Sequence, residues 1–354
     1  MIGMRRVVVY PGRIAVETAE VPAPGPGEAL VRTLAAGVCG SDLHAAHGRH
    51  PFVSLPYRPG HEVVGIVASV EGSVDGSVEG SVDGSVPGFA VGERVIVEPD
   101  LPCWTCKMCT TGRENLCENL RFFGCGYPQG GMADYFTLAA NRLHAVPGAL
   151  DDHTAALIEP LATPVHAVRL AGDVAGRSVA VLGAGTIGLF TLAVLRAHGV
   201  GSVVVTDPNP GKRARATALG ADAVVDARGP DVTGEVRGLL GGSADVVFDC
   251  VAIQSSLDQA IAMADKGGTV VVVGVPAAAV TVPLPIIQDH QIRIQGSATY
   301  LPVDFAESAA LLSAGTVRRD DFVTATRPLE AVAEAFELAS SGQHVKVLVT
   351  VSER

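Results

Sequence analysis

Four of the seven cysteines form the pattern Cys103-x2-Cys106-x2-Cys109-x7-Cys117. Four thiolates at such short spacing can complete a tetrahedral zinc shell without other ligands, and a shell with no free position is typical of structural zinc. A redox-active cysteine pair is the alternative, but a third and a fourth cysteine at these intervals favour zinc. A zinc ribbon that binds nucleic acid is disfavoured because a formal net charge of -11 repels phosphates. The pattern therefore predicts a closed zinc site.

A second group of possible metal ligands comes from two separate segments, Cys39-Gly-Ser-Asp-Leu-His44 and Gly60-His61-Glu62. A cysteine, a histidine and carboxylates from distant parts of a chain can bind zinc and still leave one position open. Zinc with an open position acts as a Lewis acid on a bound oxygen, and it lowers the pKa of bound water from 15.7 to about 7. We therefore expect a catalytic zinc here, with Cys39 and His61 among its ligands.

A glycine-rich motif, Gly183-x-Gly185-x-x-Gly188, directly follows an apolar run at residues 179–182 and opens a helical pattern over residues 187–198. In this context the first glycine permits a tight turn, the second lets the backbone approach a pyrophosphate, and the third lets the helix pack on the strand. The helix N-terminus then faces the anion. The motif predicts a dinucleotide site.

Asp207 follows the next predicted strand, about 20 residues after the glycines. A carboxylate there can accept hydrogen bonds from both ribose hydroxyls and would repel a 2′-phosphate, so NAD is favoured over NADP. Lys212 and Arg213 lie nearby in sequence and could turn toward a phosphate. NADP therefore stays the alternative.

Two kinds of structure are needed to position these sites. Up to about residue 160, short β-branched runs at residues 29–33, 63–67 and 93–97 are separated by Gly and Pro turns, which indicates a β-rich domain. From about 160 to 295, nearly continuous apolar strands at residues 179–182, 203–206, 246–249 and 270–273 alternate with helical segments. Such strands suit a parallel sheet covered on both faces. A final strand is expected at residues 345–350.

Length and composition predict an ordinary globular protein with two domains. The chain has 354 residues, is 48% hydrophobic and only 5% aromatic, which fits aliphatic α/β cores. The acidic balance argues against a nucleic-acid partner. We expect no signal peptide, no membrane span and a cytoplasmic location, because the N-terminus lacks a long apolar region and no apolar run reaches spanning length.

Five cysteines fall into the two metal patterns, which fits a reducing compartment better than a disulfide framework. The remaining two, Cys125 and Cys250, are expected to be small buried residues rather than reactive thiols, because neither has a recognisable basic partner in the sequence.

Residues 71–86 form an internal repeat in which Glu-Gly-Ser-Val and Asp-Gly-Ser-Val alternate. A period of four suits neither a strand nor an amphipathic helix, so we expect a flexible surface loop without catalytic residues. A partner-binding segment is the alternative.

Five motifs together resemble the zinc-containing medium-chain alcohol or polyol dehydrogenases, nearest in pattern to the sorbitol and threonine dehydrogenase branch. They occur in the family's order over nearly the whole chain: Cys39-Gly-Ser-Asp-Leu-His44, Pro59-Gly-His-Glu62, the four-cysteine pattern, Ile158-Glu-Pro-Leu161 and Gly183-Ala-Gly-Thr-Ile-Gly188. The resemblance implies a GroES-like β-rich catalytic domain at residues 1–160 and 296–354, with a Rossmann domain at 161–295 inserted into it. It also implies hydride transfer between a small alcohol and NAD, and a homodimer or homotetramer.

The resemblance further implies roles for individual residues of the catalytic site. Glu62 and Glu159 compete for the remaining protein position on the catalytic zinc. Asp42 is expected to accept a hydrogen bond from the ring N–H of His61 and so fix its tautomer. Ser41 would accept the alcohol proton and pass it through the cofactor ribose to His44 and solvent. A helix cap and a surface imidazole are the alternative roles of Ser41 and His44.

The cofactor contacts implied by the resemblance fall on the nucleotide-binding part of the chain. Ser297-Ala-Thr299, like the backbone of residues 273–275, should line the nicotinamide end. The expected contacts are Thr163, Gly183, Gly185, Ile187, Gly188, Asp207, Lys212, Val273 and Val275.

The chain departs from the family pattern at two places. Trp104 stands where the family often has Gly, which should change loop packing without removing a zinc ligand. In Gly296-Ser-Ala-Thr299-Tyr300 the chain lacks an arginine that polyol and threonine dehydrogenases tend to have, and this argues against sorbitol or threonine as substrate. Several residues are candidates for lining the substrate pocket, with ordinary packing as the alternative: His47, His50, Phe52, Tyr57 and Tyr300.

Two other functions compete with a zinc-dependent dehydrogenase. One is a zinc-stabilised binding protein that has kept the fold and lost turnover. The other is a zinc-free quinone or enoyl reductase of the same superfamily. The first would not need Ser41 and His44, and the second would not need Cys39, His61 or the four-cysteine pattern.

Overall fold

The structure is a computed structural model that describes residues 3–50, 53–70, 73–74, 77–78 and 88–353. The chain forms two compact units, Met1–Pro160 with Ser308–Arg354, and Leu161–Glu307. Among the described residues, no helix combines the length and the apolar character needed to cross a membrane. The predicted domain boundaries, including the return of the chain to the catalytic domain at residue 296, stay predictions.

The first unit is rich in strands, as expected from its short β-branched runs. Its strands are β1 (Gly3–Tyr10), β2 (Arg13–Glu20), β3 (Glu28–Val38), β4 (Val63–Val70), β5 (Ser73–Val74), β6 (Ser77–Val78), β7 (Arg94–Val97), β8 (Asp100–Leu101), β9 (Arg121–Phe122), β10 (Tyr135–Ala139), β11 (Leu143–Ala145), β18 (Val323–Pro328) and β19 (Lys346–Thr350). Its helices are α1 (Gly40–Ala46), α2 (Lys107–Thr110), α3 (Asp152–Ala155), α11 (Arg319–Phe322) and α12 (Val332–Ser340).

A seven-stranded sheet organises this unit in the order β11-β7-β4-β3-β19-β18, with β10 also paired to β3. The long strand β3 pairs antiparallel with β4 on one side and with β19 on the other. The C-terminal strand therefore lies beside β3, whose end leads into Cys39 and α1. Aliphatic side chains such as Val31, Val63 and Val349 are fully buried in the core that this sheet supports.

The second unit alternates strands and helices, and its sheet is parallel throughout. Its strands are β12 (Ser178–Leu182), β13 (Ser202–Thr206), β14 (Ala223–Val225), β15 (Ala244–Asp249), β16 (Ala264–Val272) and β17 (Arg293–Gly296). The remaining helices are α4 (Ile158–Ala171), α5 (Thr186–Ala197), α6 (Pro210–Ala218), α7 (Val232–Leu240), α8 (Gln254–Met263), α9 (Leu284–His290) and α10 (Pro302–Ser313).

The strand order of this sheet is β14-β13-β12-β15-β16-β17. The arrangement is doubly wound: after β14 the chain returns to the centre of the sheet and adds β15, β16 and β17 on the other side of β12. Val179, Val204 and Val247 are fully or almost fully buried. Strands buried in this way need continuous apolar sequences, which is why the valine runs predicted them. The predicted β-rich first part and the predicted doubly wound parallel sheet are both present.

The repeat at residues 71–86 lies for the most part outside the described residues. Of that segment the structure describes only β5 and β6, which pair antiparallel with Ser73 opposite Val78 and Val74 opposite Ser77. These four residues are therefore extended, although a period of four did not predict strands. The expected absence of catalytic residues from the repeat stays a prediction.

Candidate active site

Cys39, His61 and Glu62 come together at the end of β3, with ligand atoms all within 4.8 Å of one another. Cys39 is the residue before α1, while His61 and Glu62 precede β4, and pairing of β3 with β4 brings the two segments side by side. His61 and Glu62 are buried. A thiolate, an imidazole and a carboxylate at these separations are a donor set that fits zinc.

Asp42 is fully buried beside this cluster, but its oxygens bind other groups than the one predicted. One oxygen accepts a hydrogen bond from the Cys39 N–H at 3.0 Å, and the other accepts from the Tyr57 hydroxyl at 3.2 Å. The distance from Asp42 Oδ1 to His61 Nδ1 is 3.9 Å, longer than a hydrogen bond. Asp42 thus interacts with the His61 ring through its charge and not through a hydrogen bond. Its hydrogen bond to the Cys39 N–H holds the start of α1 in place.

The electrostatics of this pair follow from burial. Burial raises the pKa of Asp42, with His61 opposing the shift. Burial alone would lower the pKa of His61, but the Asp42 carboxylate and Cys39 raise it well above its usual value. The site therefore favours positive charge at the position of His61, as expected where anionic ligands surround a cation.

The predicted proton-relay residues lie on α1. Ser41 Oγ is 3.5 Å from His61 Nε2, whereas Asp42 lies near the other ring nitrogen, Nδ1. His44, one turn later, is exposed to solvent. The hydroxyl thus lies next to the metal-ligand cluster, and the imidazole can exchange protons with water.

Glu62 makes an ion pair that sequence reasoning missed. Lys346 Nζ lies 2.5 Å from Oε1 and 2.7 Å from Oε2 of this carboxylate, and both residues are buried. Burial alone would lower the pKa of Lys346, but the Glu62 charge raises it. The sequence contains a sign of this pair: Lys346 is the one charged residue in the apolar run from Val345 to Thr350.

Glu159 lies in the first turn of α4 and is largely buried. It is not one of the three residues that share the 4.8 Å group. Its charge nevertheless contributes to raising the pKa of His61 and of Lys346, so it lies in the same electrostatic environment. The choice between Glu62 and Glu159 as direct ligand stays open.

Cys125 is close to this cluster, which its sequence position did not indicate. Its Sγ lies 3.9 Å from His50 Nε2, so the expectation that it has no basic neighbour is wrong. Burial raises the pKa of Cys125 to about 12, and it does the same for Cys250. Both thiols are therefore protonated at neutral pH, in agreement with the prediction of small, unreactive residues.

The four cysteines of the second pattern also converge, with their sulfur atoms within 4.8 Å of one another. Cys106 Sγ lies 3.5 Å from that of Cys109 and 3.9 Å from that of Cys117. The Thr105 hydroxyl and backbone N–H groups around Cys103 lower its pKa to about 5. Converging sulfurs and donors that stabilise a thiolate fit a tetrahedral zinc shell.

Trp104 stands in the left-handed region with φ 61°, which explains why glycine suits this position. Its ring is stacked under the Arg142 guanidinium, whose Cζ lies 4.9 Å from the ring centroid. Arg142 in turn binds the buried Glu98 at 2.7 Å. This cation–π contact ties the four-cysteine loop to the strands of the first unit and offsets part of the backbone strain.

The glycine-rich turn has the geometry that a pyrophosphate needs. Gly183 has φ 92°, so it makes the tight turn after β12. No atom lies within 4 Å of the place where a side chain of Gly185 would begin, whereas a Cβ at Gly188 would lie 1.8 Å from the Gly183 carbonyl oxygen. The middle glycine is thus open to a ligand and the third packs α5 onto the turn.

Asp207 follows β13, and its carboxylate is hydrogen-bonded to the backbone of the glycine-rich turn. It accepts hydrogen bonds from the N–H groups of Ala184 at 2.9 Å and Asn209 at 2.8 Å. The Arg213 guanidinium donates to the Asp207 carbonyl oxygen at 2.7 Å and pairs with Asp226 at 3.2 Å. Arg213 is therefore occupied, which weakens the case for a cationic 2′-phosphate site.

Two hydroxyls at the predicted nicotinamide end lack hydrogen-bond partners among the described residues, Ser297 Oγ and Thr299 Oγ1. Thr299 also has a positive φ of 45°, unusual for a β-branched residue. Unpaired buried hydroxyls in a strained loop suit contact with a ligand. The other expected cofactor contacts are placed in the same unit: Thr163 on α4, Ile187 on α5, Lys212 on α6, and Val273 and Val275 after β16.

The candidate pocket residues divide into different roles. Tyr57 is buried and donates to Asp42, while Tyr300 is buried against Phe305 with ring centroids 4.9 Å apart. His47 is exposed and His50 is half-buried. Phe52 lies outside the described residues. Tyr57 and Tyr300 therefore act in packing, and His50 stays a candidate for the pocket.

Comparison with family models gives two matches that divide along the chain. Residues 25–148 match the alcohol dehydrogenase GroES-like domain, and residues 186–314 match the zinc-binding dehydrogenase domain. Among curated proteins, sorbitol dehydrogenase of Ovis aries is 32% identical over 97% of this chain and 95% of its own length. L-galactonate-5-dehydrogenase of Escherichia coli strain K12 is 32% identical over 90% of this chain and 89% of its own.

Solved structures share the fold over the full length. A protein of Sinorhizobium meliloti 1021 bound to NADP is 33% identical, with a TM-score of 0.89 over 99% of this chain and 100% of its own. A short chain alcohol dehydrogenase of Escherichia coli CFT073 complexed with NADH is 27% identical, with a TM-score of 0.89 over 99% of both chains. The two similar structures thus hold different nicotinamide cofactors.

Proposed function

The chain belongs to the zinc-containing medium-chain alcohol and polyol dehydrogenases, and from this premise we propose that it transfers a hydride between NAD and a secondary hydroxyl, giving a ketone. The substrate class that we propose is a secondary alcohol, polyol, sugar or cyclitol. The observation that carries the proposal is the convergence of Cys39, His61 and Glu62 next to the Ser41 hydroxyl, in a chain that also has a complete dinucleotide turn.

We assign two zinc ions to the first unit. Cys39 and His61, with Glu62 or Glu159, would hold the catalytic ion, and the four-cysteine shell would hold the structural one. Bound catalytic zinc supplies a Lewis acid that lowers the pKa of a substrate hydroxyl. Asp42 keeps the start of α1 in place, so the orientations of Cys39 and Ser41 are fixed together.

Ser41 is assigned to take the proton of the reacting hydroxyl, and His44 to pass it to solvent. The Ser41 hydroxyl lies 3.5 Å from a ring nitrogen of a proposed ligand, and His44 is exposed one turn further along α1. A hydroxyl near the reacting atom and an imidazole in water are the two ends that such a relay requires.

We assign NAD to the turn at Gly183, Gly185 and Gly188, with the ribose hydroxyls bound by Asp207. The cofactor supplies the hydride acceptor, while the chain orients it. The assignment of residues 1–160 and 296–354 to the catalytic domain, and of 161–295 to the cofactor domain, follows the same division. Use of NADP would require Lys212 to offset the negative charge of Asp207.

Replacing Asp207 by Ser should raise the use of NADP. Removing the carboxylate relieves its repulsion of the 2′-phosphate, and we expect the KM for NADP to fall about tenfold, equivalent to roughly 1.4 kcal/mol. The KM for NAD should rise because the ribose hydroxyls lose their acceptor. Steady-state kinetics with both cofactors measure the change.

Asp207→Asn is the matched variant, because it removes the charge and keeps an oxygen that can accept from Ala184 N–H. If repulsion sets cofactor preference, Asn and Ser should both improve NADP use. Wild-type turnover that is as fast with NADP as with NAD would contradict the assignment to NAD.

The substrate class is tested by a screen of secondary alcohols, diols, sugars and cyclitols, with NADH absorbance as the readout. The sorbitol dehydrogenase similarity makes polyols the first group to test. Thr299 stands in the segment where an arginine anchor is missing, so we expect sorbitol to be a poor substrate. No NAD reduction with any of these classes, in zinc-replete protein, would favour a binding protein without turnover.

We propose that the chain assembles into a homo-oligomer through the second unit. Several apolar side chains that lie between β16 and the middle of α9 are exposed: Val275, Val280, Val282, Leu284 and Ile286. Exposed apolar residues clustered in one segment are typical of an interaction surface. Leu284→Glu should shift the protein toward monomer in size-exclusion chromatography with light scattering, and a wild type that is monomeric at all concentrations would contradict the proposal.

We also propose a reducing compartment, the cytoplasm. Five of the seven cysteines are assigned to zinc, and no disulfide joins any of the seven.

A further inference from the structure

The loop at residues 297–301, between β17 and α10, has a strained backbone and unpaired polar atoms. Thr299 has a φ of 45°, a region that β-branched residues rarely adopt because it costs free energy. The buried hydroxyl oxygens of Ser297 and Thr299 have no hydrogen-bond partner in the part of the chain that the structure describes. Such a loop keeps its conformation only when the surrounding structure holds it.

Asp304, in the first turn of α10, holds the end of this loop. Its Oδ2 accepts a hydrogen bond from the Leu301 N–H at 2.7 Å, and its own N–H donates to the Leu301 carbonyl oxygen at 2.9 Å. An acidic side chain that binds back to the start of its helix fixes the entering chain. The beginning of the loop is held by the sheet, because the Ser297 N–H donates to the Val272 carbonyl oxygen at 2.9 Å.

Two side chains of α4 fix the Asp304 carboxylate in turn. His166 Nδ1 lies 2.9 Å from its Oδ2, and the Arg169 guanidinium donates to both oxygens, at 2.9 Å from Nε and 2.8 Å from Nη2. Asp304 is fully buried and His166 is 4% exposed. Burial alone would raise the pKa of Asp304, but the hydrogen bonds from His166 and Arg169 lower it, so the carboxylate is ionised at neutral pH. Two parallel hydrogen bonds from one guanidinium fix a carboxylate in position and in orientation.

This group of side chains lies next to the proposed cofactor contacts of the second unit. Thr163, one of these contacts, stands three residues before His166 on α4 and is therefore its neighbour on the helix surface. The segment from Ser297 to Thr299 is assigned to the nicotinamide end. The helix α4 and the loop are joined through Asp304, so their positions depend on one carboxylate.

Resting on the proposed function, we propose that Asp304, fixed by His166 and Arg169, is a positioning residue for the nicotinamide end of the cofactor. It holds the Leu301 backbone, and with it the strained segment at residues 297–299 that carries the two unpaired hydroxyls. A loop that is fixed before binding does not have to be ordered by the ligand, which lowers the entropic cost of binding the nicotinamide ring. Asp304 acts only through the loop and does not touch the cofactor.

The test compares two ligands of the purified, zinc-loaded protein: NADH, and ADP-ribose, which lacks the nicotinamide. Fluorescence titration gives the dissociation constant of NADH, and calorimetry gives that of ADP-ribose. In Asp304→Ala we expect NADH to bind about tenfold more weakly, the loss that corresponds to a single hydrogen bond, and ADP-ribose to bind as in the wild type. The kcat for an alcohol should fall as well, because a misplaced ring accepts hydride poorly.

Two variants of Arg169 serve where Asp304→Ala does not fold. The Arg169 side chain is 40% exposed, so its loss is the milder change. Arg169→Met should weaken NADH alone, by about threefold, and Arg169→Lys should restore most of the affinity because it keeps a cation beside the carboxylate.

Asp222→Asn is the matched control, since the Asp222 carboxylate also accepts from an arginine and from a backbone N–H, both at 2.6 Å. It stands just before β14, at the end of the sheet away from the glycine-rich turn. The affinities for NADH and for ADP-ribose should both stay unchanged in this variant.

The two ligands separate positioning from general stabilisation. If Asp304 only stabilised the second unit, Asp304→Ala would lower the melting temperature and weaken NADH and ADP-ribose by the same factor, and that result overturns the proposal. Unchanged NADH affinity overturns it as well, in folded Asp304→Ala or, where that variant does not fold, in Arg169→Met. Failure of the proposed function is seen separately, as a wild type that binds neither ligand.

Discussion

Replacing Cys39 by Ser should lower turnover by ~10³-fold while leaving the fold intact. The change removes a thiolate from the proposed catalytic site, and loss of about 4 kcal/mol of Lewis-acid stabilisation corresponds to that factor. Cys39 is half-buried at the end of β3 and its backbone N–H still binds Asp42 after the substitution. Steady-state kinetics, the melting temperature and elemental analysis together check the expectation that one zinc of two is lost.

Cys106→Ser should show the opposite pattern. Four-ligand zinc sites contribute about 10–16 kcal/mol to folding, roughly 3 kcal/mol per ligand, so we expect the melting temperature to fall by about 6–12 °C. Turnover of the protein that stays folded should change little. Cys250→Ser is the matched control, because it alters a protonated thiol outside both metal groups and should keep two zinc ions.

Metal analysis of the wild type decides the two-site assignment itself. Fully folded, metal-replete protein with one zinc or fewer would remove it. If Cys39→Ser and Cys106→Ser both lowered only stability, the cluster at Cys39 would be structural, and a zinc-stabilised binding protein would become the better interpretation.

Local chemistry explains why much of the site was predictable from sequence. Each glycine of the dinucleotide turn is needed for a local reason: Gly183 has a positive φ, Gly185 leaves open space and Gly188 allows close packing. Such requirements act within a few residues, so a short motif contains them. The four cysteines are likewise close in sequence, and a short loop is enough to bring their sulfurs together.

Contacts between distant strands explain what the sequence did not predict. Lys346 meets Glu62 only because β19 pairs with β3. A lysine at the start of an apolar strand is visible in the sequence, but its partner, 284 residues away, is not. Gly37 gives the carboxylate its room, which no pattern of apolar residues indicates. Asp42 lies near His61, as predicted, but its oxygens accept hydrogen bonds from the Cys39 N–H and the Tyr57 hydroxyl. The predicted hydrogen bond from the His61 ring to Asp42 is therefore not made.

The relay proposed for α1 predicts different defects at its two ends. Ser41→Ala should lower turnover by about 10²-fold near neutral pH, the lower end of the range for a positioned proton acceptor. His44→Ala should lower it only about tenfold, because an exposed imidazole can be replaced by water and small bases. Neither change should remove zinc, so metal content is the control.

The pH dependence of His44→Ala is the decisive measurement, because it separates a proton relay from an ordinary surface histidine. If His44 passes the proton to solvent, its loss is compensated as hydroxide increases or as imidazole buffer is added, and turnover should recover toward that of the wild type. Ser41→Ala should not recover in this way, since the lost hydroxyl lies 3.5 Å from the His61 ring, where no buffer molecule replaces it. His47→Ala is the matched control, because that imidazole is exposed on the same segment and its Nδ1 is 2.6 Å from the Leu43 carbonyl oxygen. Wild-type pH dependence in His44→Ala, with hydride transfer shown to be rate-limiting by a deuterated substrate, would contradict the relay and leave Ser41 as a group that only positions the substrate.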